Sequence, residues 1–337
     1  MRTVTHPFAA AVTTFLDSQS YTHQRWATFR GRELLVVRSP SSSLALHLLP
    51  TPQHIDEVLP SKTSEELSDA YVARSRSPGR RRAVLVHLWE DQWYEHTPIV
   101  TSRLLSMLGR SQRLMARSTV ARRIDAATVD AFLLENHLWG ATKARYRYGL
   151  YLKGQDELVA VASFSPRWNL RRHGSDVPPR ASHELIRYCS SRGTSVVGGI
   201  SKLLKAFERD AEPDEIVTVI DRDWGAGGGW ATLGFRPLKK LSPVTFFVGP
   251  DGLRCHPGSG PNPHRRRLPP DVLAELEDAC NKEVPAMLEG DSEWRAKREE
   301  DLLADKGYFA VRDAGAERHL LMITPVPIPM PVSADSG

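Results

Sequence analysis

A strand, a glycine-containing turn and a helix follow one another in the stretch Glu184-Leu-Ile-Arg-Tyr-Cys189, Ser190-Ser-Arg-Gly-Thr-Ser-Val-Val-Gly-Gly199 and Ile200-Ser-Lys-Leu-Leu-Lys-Ala-Phe207. Backbone N–H groups at the start of a helix favour an anion, and Gly198 and Gly199 would let the main chain approach one closely. Ser195, Ser201 and Lys202 would add hydrogen-bond donors. The pattern predicts an anion-binding loop, with the alternative that the glycines serve only the packing of helix on strand.

The segments around this stretch extend it to an α/β unit over residues 126–249. The predicted elements, in chain order, are a helix at 127–136, strands at 146–152 and 157–164, a strand at 184–189, a helix at 197–209, a strand at 216–221, a short helix at 229–233 and a strand at 244–248. Lys153-Gly-Gln-Asp156 supplies a hairpin turn between the first two strands. We expect a mixed sheet in which strands 184–189 and 216–221 are parallel neighbours joined by the intervening helix.

The length of 337 residues predicts about two domains. Residues 110–125 hold five arginines and one acid, which is typical either of a solvated linker or of a phosphate-contacting segment. The predicted division is a first domain at 1–109, a basic linker at 110–125, the α/β domain at 126–249, a C-terminal extension at 250–323 and a disordered tail at 324–337. The extension is expected to contain helices at 270–280 and 294–306 and a hairpin of strands 308–313 and 318–323.

The composition excludes several classes of protein. Hydrophobic residues make up 41% and charged residues 25%, which is typical of a globular chain rather than a disordered or collagen-like one. No apolar run approaches the 20 or so residues that a membrane-spanning helix needs, so no membrane partner is expected. The three cysteines are far apart, which argues against a disulfide framework or a zinc site and predicts a reducing, cytoplasmic compartment.

Four segments resemble the GNAT-like domain of phage proteins akin to Mom-type DNA-modification enzymes. They are Leu133-Leu-Glu-Asn-His-Leu-Trp-Gly140, Glu184-Leu-Ile-Arg-Tyr-Cys189, Thr194-Ser-Val-Val-Gly-Gly-Ile-Ser-Lys-Leu203 and Asp221-Arg-Asp-Trp224. The resemblance implies an α/β (α+β) fold, with a GNAT-like mixed sheet and flanking helices, and N-acyl transfer to a nucleobase or other amine in phage DNA modification. It further implies acyl-CoA as the donor, bound at Ser195, Val196, Val197, Gly198, Gly199, Ser201 and Lys202. The loop departs from the family pattern because no basic residue stands at its first position.

The N-terminal region resembles a smaller restriction-endonuclease-like α/β layer of the very-short-patch-repair and homing-endonuclease type. The segment that keeps the residues expected from this resemblance is His87-Leu-Trp-Glu-Asp-Gln-Trp93. Such nucleases hold a divalent metal with acids on two neighbouring strands. Here His47 stands where the glutamate is expected, and Leu35 or Val36 where the aspartate is expected. The layer is therefore predicted to be degenerate, with no metal site, and the alternative function is that of a DNA-binding, homing-endonuclease-related protein.

The types of residue in the sequence predict candidate catalytic and nucleic-acid-binding sites. Glu184, at the start of the central strand, is a candidate general base, with Tyr188 as a candidate acid and His137 as a second acid–base candidate. The alternatives are a salt bridge of Glu184 with Arg187 and a structural role for His137. Arginines interleaved with aromatic residues suit phosphate contact and base stacking, although ordinary strand alternation gives the same pattern. DNA is thus the expected partner, contacted by Arg145, Arg147, Arg167, Arg171 and Arg172.

Overall fold

The computed structural model describes residues 6–21, 24–40, 42–75, 83–170, 179–256, 268–283 and 292–324. It is a mixed α/β protein of several sheets with flanking helices, which confirms the predicted fold class. The strands are β1 (Gln24–Phe29), β2 (Arg32–Arg38), β3 (Ser43–Leu49), β4 (Ala83–Trp89), β5 (Gln112–Met115), β6 (Thr119–Arg123), β7 (Tyr146–Leu152), β8 (Leu158–Phe164), β9 (Trp168–Leu170), β10 (Arg180–Ser190), β11 (Thr194–Val197), β12 (Glu215–Asp221), β13 (Arg236–Leu241), β14 (Thr245–Val248), β15 (Arg254–Cys255), β16 (Phe309–Arg312) and β17 (Ala316–Met322). The helices are α1 (Pro7–Ser18), α2 (Thr63–Ser75), α3 (Glu90–Glu95), α4 (Thr97–Met107), α5 (Ala126–Asn136), α6 (Gly199–Ala211), α7 (Gly228–Ala231), α8 (Pro270–Glu283) and α9 (Ser292–Ala304).

The N-terminal sheet has the order β1-β2-β3-β4. Its first three strands are antiparallel, whereas β3 and β4 run parallel and are connected through α2. The apolar runs of β3 and β4 are buried on both faces, as expected for strands covered by helices on either side. One face packs on α1, α3 and α4, and the other packs on α2 through Leu67.

The large sheet has eight strands, seven of which follow the order β13-β17-β12-β10-β8-β7-β6, while β9 pairs with β10. Strands β10 and β12 are parallel neighbours, as predicted, and α6 connects them. Helix α6 buries Leu203, Leu204 and Phe207 on this sheet, and the Phe207 ring stacks on Phe164 with centroids 4.0 Å apart. This face of the sheet forms the largest apolar core of the α/β unit.

The basic segment 110–125, predicted to be a linker, contains two strands of the fold. Strand β5 pairs in parallel with β11, and β6 pairs with β7 as the last strand at one side of the large sheet. Such pairing satisfies backbone groups that a linker would leave to water. Asp125 caps α5, because its carboxylate accepts the Thr128 N–H at 2.8 Å.

The C-terminal hairpin prediction is wrong. Strand β16 pairs with β14 in a separate three-stranded sheet, whereas β17 lies between β12 and β13 in the large sheet. The chain passes from one sheet to the other at residues 313–315, where the Asp313 carboxylate accepts the Val244 N–H and the Gly315 N–H at 2.8 Å each. The residues 244–248, expected to end the α/β unit, therefore belong to the third sheet.

The segment Asp221-Arg-Asp-Trp224 joins the layers of the molecule. The Arg222 guanidinium donates to the Ala314 carbonyl at 3.0 Å and pairs with Asp69 of α2 at 2.6 Å. Trp224 is buried in the apolar core of the N-terminal sheet. The layers predicted at 1–109 and 126–249 thus share side-chain contacts. Within the described residues, no helix is both long and apolar enough to cross a membrane.

Candidate active site on the central sheet

The two central strands of the large sheet separate part-way along their length. Their parallel register runs from Ser182 paired with Glu215 to Leu185 paired with Thr218, where the Thr218 hydroxyl donates to the Leu185 carbonyl at 3.0 Å. Beyond this point β10 continues to Ser190 and β12 continues to Asp221 outside that register. The register of β10 with β8 also shifts between Leu185 and Arg187, as in a β-bulge. The site lies at this fork.

Glu184 lies at the fork, on the face opposite α6. Its carboxylate is partly buried, and this burial raises the pKa of Glu184, while Arg318 and Arg187 act in the opposite direction. Arg318 is paired across the sheet with Val219, an interior-strand residue that is 39% exposed. The face beside Glu184 is therefore open to solvent, and a carboxylate with a raised pKa there is a stronger base than an ordinary one.

A row of polar side chains crosses the same face. Arg147, Ser163 and Arg187 stand opposite one another on β7, β8 and β10. Arg187 is anchored, since its Nε donates to the Gly140 carbonyl at 3.3 Å, and burial lowers its pKa. The Nε atoms of Arg147 and Arg318 and the Ser163 hydroxyl are buried and have no hydrogen-bond partner among the described residues. This row offers donors for an anionic or carbonyl group beside the Glu184 carboxylate.

Arg318 and Ser163 were not predicted as site residues. Ser163 interrupts the buried, apolar strand β8, and a polar residue within a buried strand is a sequence signal that could have found it. Arg318 lies between Glu317 and His319 in a strand that is mostly half-buried, so its sequence context gives no such signal. Arg318 reaches this face because β17 pairs with β12, and local pattern does not determine that pairing.

The other two predicted catalytic residues differ in their surroundings. Tyr188 is on the opposite face, packed against the core under α6, and burial raises its pKa, with Ser190 acting in the opposite direction. Tyr188 is therefore separated from Glu184 by the sheet.

His137 follows α5, and its Nδ1 accepts the Trp139 N–H at 3.1 Å. The Trp139 indole donates to Asp221 at 2.8 Å, and the Gly140 carbonyl accepts from Arg187. The turn after His137 thus contacts the two central strands.

The predicted anion-binding loop is largely engaged within the protein. Ser195, Val196 and Val197 belong to β11 and pair with β5. The Gly193 N–H donates to the Ser102 hydroxyl at 2.8 Å, and Lys202 Nζ donates to the carbonyls of Ala116 and Thr119. Ser201 lies in the first turn of α6.

Contacts and backbone conformation within the protein explain the glycines at positions 198 and 199. Gly198 adopts φ 74°, and a Cβ there would lie 3.5 Å from the Ala116 side chain. A Cβ on Gly199 would lie 2.9 Å from the Val196 Cβ and 3.1 Å from the Tyr188 hydroxyl. The packing alternative accounts for Gly199, since any larger residue there would meet Val196 and Tyr188, and the positive φ accounts for Gly198.

The predicted nucleic-acid contacts are divided between two environments. Arg147 belongs to the partly buried row beside Glu184, whereas Arg145 and Arg167 are exposed. The Arg167 Nε donates to Asn169 at 3.0 Å. Arg171 and Arg172 lie outside the described residues.

His47, which stands where the resemblance places a metal-binding glutamate, forms a buried pair with His87. His47 and His87 stand opposite each other on β3 and β4, with their Nδ1 atoms 2.9 Å apart, and His87 Nε2 is 2.8 Å from the Ser68 hydroxyl. Burial, with a contribution from Arg32, lowers the pKa of His47 to about 4. Burial also lowers the pKa of His87. Both rings are therefore neutral at pH 7.

The acids that follow β4 are engaged in protein contacts. Glu90 accepts the Thr51 N–H at 2.9 Å, and Asp91 pairs with Arg254 at 3.0 Å. Across the ranges that the structure describes, no group of three or more His, Cys, Asp or Glu side chains is arranged to hold a metal ion. Glu90 and Asp91 thus have structural roles in this conformation.

Comparison with known proteins gives only distant similarities. No protein-family model and no curated protein matches the chain. Among solved structures, a bacterial toxin matches with a TM-score of 0.27 and 15% identity over 36% of this chain and 83% of its own. A Corynebacterium glutamicum ATCC 13032 protein, described as histone acetyltransferase HPA2 and related acetyltransferase, matches with a TM-score of 0.26 and 15% identity over 45% of this chain and 99% of its own. A protein assigned to the GNAT acetyltransferases of Bordetella pertussis matches with a TM-score of 0.19 and 13% identity over 64% of this chain and 91% of its own. TM-scores of this size do not establish a common fold, so the α/β assignment rests on the strand order given above.

Proposed function

We propose that this chain is a GNAT-like enzyme that transfers an acyl-type group to an amine, and that the amine belongs to a nucleobase. One observation carries the proposal: Glu184 lies at the fork of the two central strands, beside an open sheet face, and burial raises the pKa of its carboxylate. The resemblance of the four sequence segments supplies the reaction class. DNA modification is the biological context that this resemblance implies.

Glu184 would act as the general base. As the amine nitrogen attacks the acyl carbon, a C–N bond forms, the bond to the leaving group breaks with its electron pair, and the nitrogen loses a proton to Glu184. A carboxylate whose pKa is raised toward the working pH is a stronger base than an ordinary one. The donors of Arg147, Ser163 and Arg318 would bind polar groups of the substrate next to this carboxylate.

A transfer assay tests the proposal. Purified protein is incubated with labelled acetyl-CoA or propionyl-CoA and with a DNA duplex, a single strand or putrescine as the acceptor. We expect label on DNA, and we expect Glu184→Gln to lower the initial rate by about 10²- to 10⁴-fold. Glu208→Gln is the matched control, because burial also raises the pKa of Glu208 but this residue lies on α6. Equal rates for Glu184→Gln and the parent protein would refute the role of Glu184.

A second candidate function is nucleic-acid binding without transfer, as a protein related to homing endonucleases. The pairing of residues 194–197 with β5 and the packing reason for Gly199 support it, because neither requires a cofactor. A ligand that binds the folded state raises the melting temperature by mass action. No thermal shift with millimolar acyl-CoA, together with no label on any acceptor, would select this second function.

A further inference from the structure

A basic cleft lies between helix α6 and the edge strand β6. Its volume is about 400 Å³, and four cationic side chains line it: Lys153, Lys202, Lys205 and Arg209. The remaining lining residues are Thr119, Val120, Ala121 and Ala206, so no acidic residue contributes to its wall. The cleft is separate from the Glu184 face, since β6 is at one side of the large sheet and Glu184 lies on its central strand.

The fold positions these cations together. Lys202, Lys205 and Arg209 are spaced by three and four residues, which places them on one stripe of α6, while Leu203 and Phe207 bury the other side. Lys153 comes from the turn between β7 and β8. Lys202 is held in place by the carbonyls of Ala116 and Thr119. Partial burial lowers the pKa of Lys202, and Lys153 lowers it further, so the two like charges oppose each other.

The charges of the cleft are only partly compensated. Arg209 pairs with its neighbour Asp210 at 3.1 Å. Burial raises the pKa of Glu208 and the nearby Lys205 ammonium lowers it, so Glu208 compensates part of the charge of Lys205. Lys153 and Lys202 repel each other, and an anion in the cleft would relieve this repulsion.

The basic surface continues beyond the cleft. Arg113 and Arg117, both exposed, precede β6 in the segment that packs beside the start of α6. The combined surface, which we call the α6–β6 stripe, comprises Arg113, Arg117, Lys153, Lys202, Lys205 and Arg209. It holds more positive charge than one phosphate group can neutralise, and an extended polyanion matches such a row better than a small ion does.

We propose that the α6–β6 stripe binds the phosphodiester backbone of a nucleic acid. This inference rests on the proposed nucleic-acid substrate, but its test is binding rather than transfer, so the two can fail separately. The proposal concerns phosphate contacts, which position a nucleic acid and carry no sequence information directly. The stripe therefore holds the strand in place independently of which base reacts.

The test measures the salt dependence of binding. The affinity of the full chain for fluorescein-labelled duplex and single-stranded oligonucleotides is measured by anisotropy over a series of KCl concentrations. We expect Lys153→Ala with Lys205→Ala to weaken binding of unrelated sequences about equally and to reduce the salt slope by about two phosphate contacts. The matched control is Arg236→Ala with Lys239→Ala, which removes two exposed cations from β13 at the opposite side of the same sheet.

Each outcome decides the proposal. The proposal is supported if Lys153→Ala with Lys205→Ala lowers the affinity and the salt slope while Arg236→Ala with Lys239→Ala does not. An unchanged slope in the first of these variants, or an equal loss in both double variants, overturns it, because the stripe would then contribute only to net charge. Loss of ATP or CoA binding with unchanged oligonucleotide binding also overturns it, in favour of a small phosphorylated ligand. Unaltered label transfer in the Glu184 assay would leave the proposed function intact in all of these cases.

Discussion

The indole N–H of Trp89 donates a hydrogen bond to Asp223 Oδ2 at 2.9 Å, and both residues are buried. Trp89 ends the last strand of the N-terminal sheet, and Asp223 lies in the turn after the central strand β12. The other carboxylate oxygen of Asp223 accepts the Ala314 N–H at 2.8 Å. One carboxyl group therefore connects the N-terminal sheet, the large sheet and the segment that leads into β17.

Trp89→Phe should destabilise the folded protein. The substitution leaves one oxygen of a buried carboxyl group without its donor, which costs about 1–3 kcal/mol in the free energy of unfolding. Chemical denaturation followed by circular dichroism measures the change. Trp26→Phe is the control, because Trp26 is 43% exposed and should change stability by no more than about 0.5 kcal/mol. Equal effects of the two substitutions would show that the Trp89–Asp223 contact does not hold the layers together.

Asp313 should give the stability a pH dependence of defined sign. Burial raises the pKa of Asp313 to about 6 from the usual value of 3.8. Between these values the folded protein retains a proton that the unfolded chain releases, so this group lowers the free energy of unfolding as the pH rises through the window. The effect is at most about 3 kcal/mol. The buried His47 acts with the opposite sign, since its pKa is lowered to about 4 and its contribution is lost as the pH falls.

Asp313→Asn separates the two effects. Asparagine does not titrate, and its Oδ1 can still accept the N–H groups of Val244 and Gly315. We expect the free energy of unfolding of the variant, relative to the parent, to increase between pH 4 and pH 7. Denaturation curves at four pH values measure this difference. A constant difference across the range would mean that Asp313 titrates normally in the folded protein.

The turn into α6 should be sensitive to volume rather than to ligand. In Gly199→Ala the new Cβ would lie 2.9 Å from the Val196 Cβ, and we expect a loss of about 1–3 kcal/mol from overpacking. Gly228→Ala, where nothing lies within 4 Å of the added atom, is the matched control and should be close to neutral. Thermal denaturation with and without acyl-CoA measures both effects. If Gly199→Ala had the stability of the parent protein but no longer showed a rise in melting temperature with acyl-CoA, the loop at 195–202 would be a cofactor-binding loop.

The N-terminal sheet should not cleave DNA with Mg²⁺. His47 stands where the resemblance places the glutamate, and Leu35 or Val36 where it places the aspartate, so the hard oxygen ligands that a nuclease needs are replaced. Incubation of supercoiled plasmid with the purified protein and Mg²⁺ should leave it intact. Cleavage that Glu90→Ala abolishes and that Asp56→Ala preserves would show that an active metal site exists.

Local patterns predicted the local parts of the fold. The strands β7 and β8 and the helix α5 were found nearly to the residue, because a glycine turn and the Asp125 cap mark their ends. The edge strand β13 was missed, since five of its six residues are exposed and show no alternation of apolar and polar side chains. The position of β17 between β12 and β13 depends on long-range pairing, which no window of sequence contains.

Of the candidate site, only Glu184 could be predicted from the sequence. Glu184 stands out in the sequence as an acid at the start of the predicted central strand, and its role as a candidate base stays a prediction. Arg318 reaches the same face because β17 pairs with β12, and the occupation of residues 194–197 follows from their pairing with β5. Both are contacts between segments that are distant in the sequence. Residue spacing therefore could not predict that Arg318 lies beside Glu184 or that residues 194–197 pair with β5.

The most direct measurement of the central claim is the nucleoside composition of DNA from bacteria that express this protein. The DNA is digested to nucleosides and analysed by liquid chromatography and mass spectrometry, with Glu184→Gln and Glu208→Gln expressed to the same level. The account predicts a new nucleoside, heavier by the mass of an acyl-type group, in cells with the parent protein and with Glu208→Gln and absent with Glu184→Gln. Identical nucleoside profiles from the parent protein and from Glu184→Gln would contradict it.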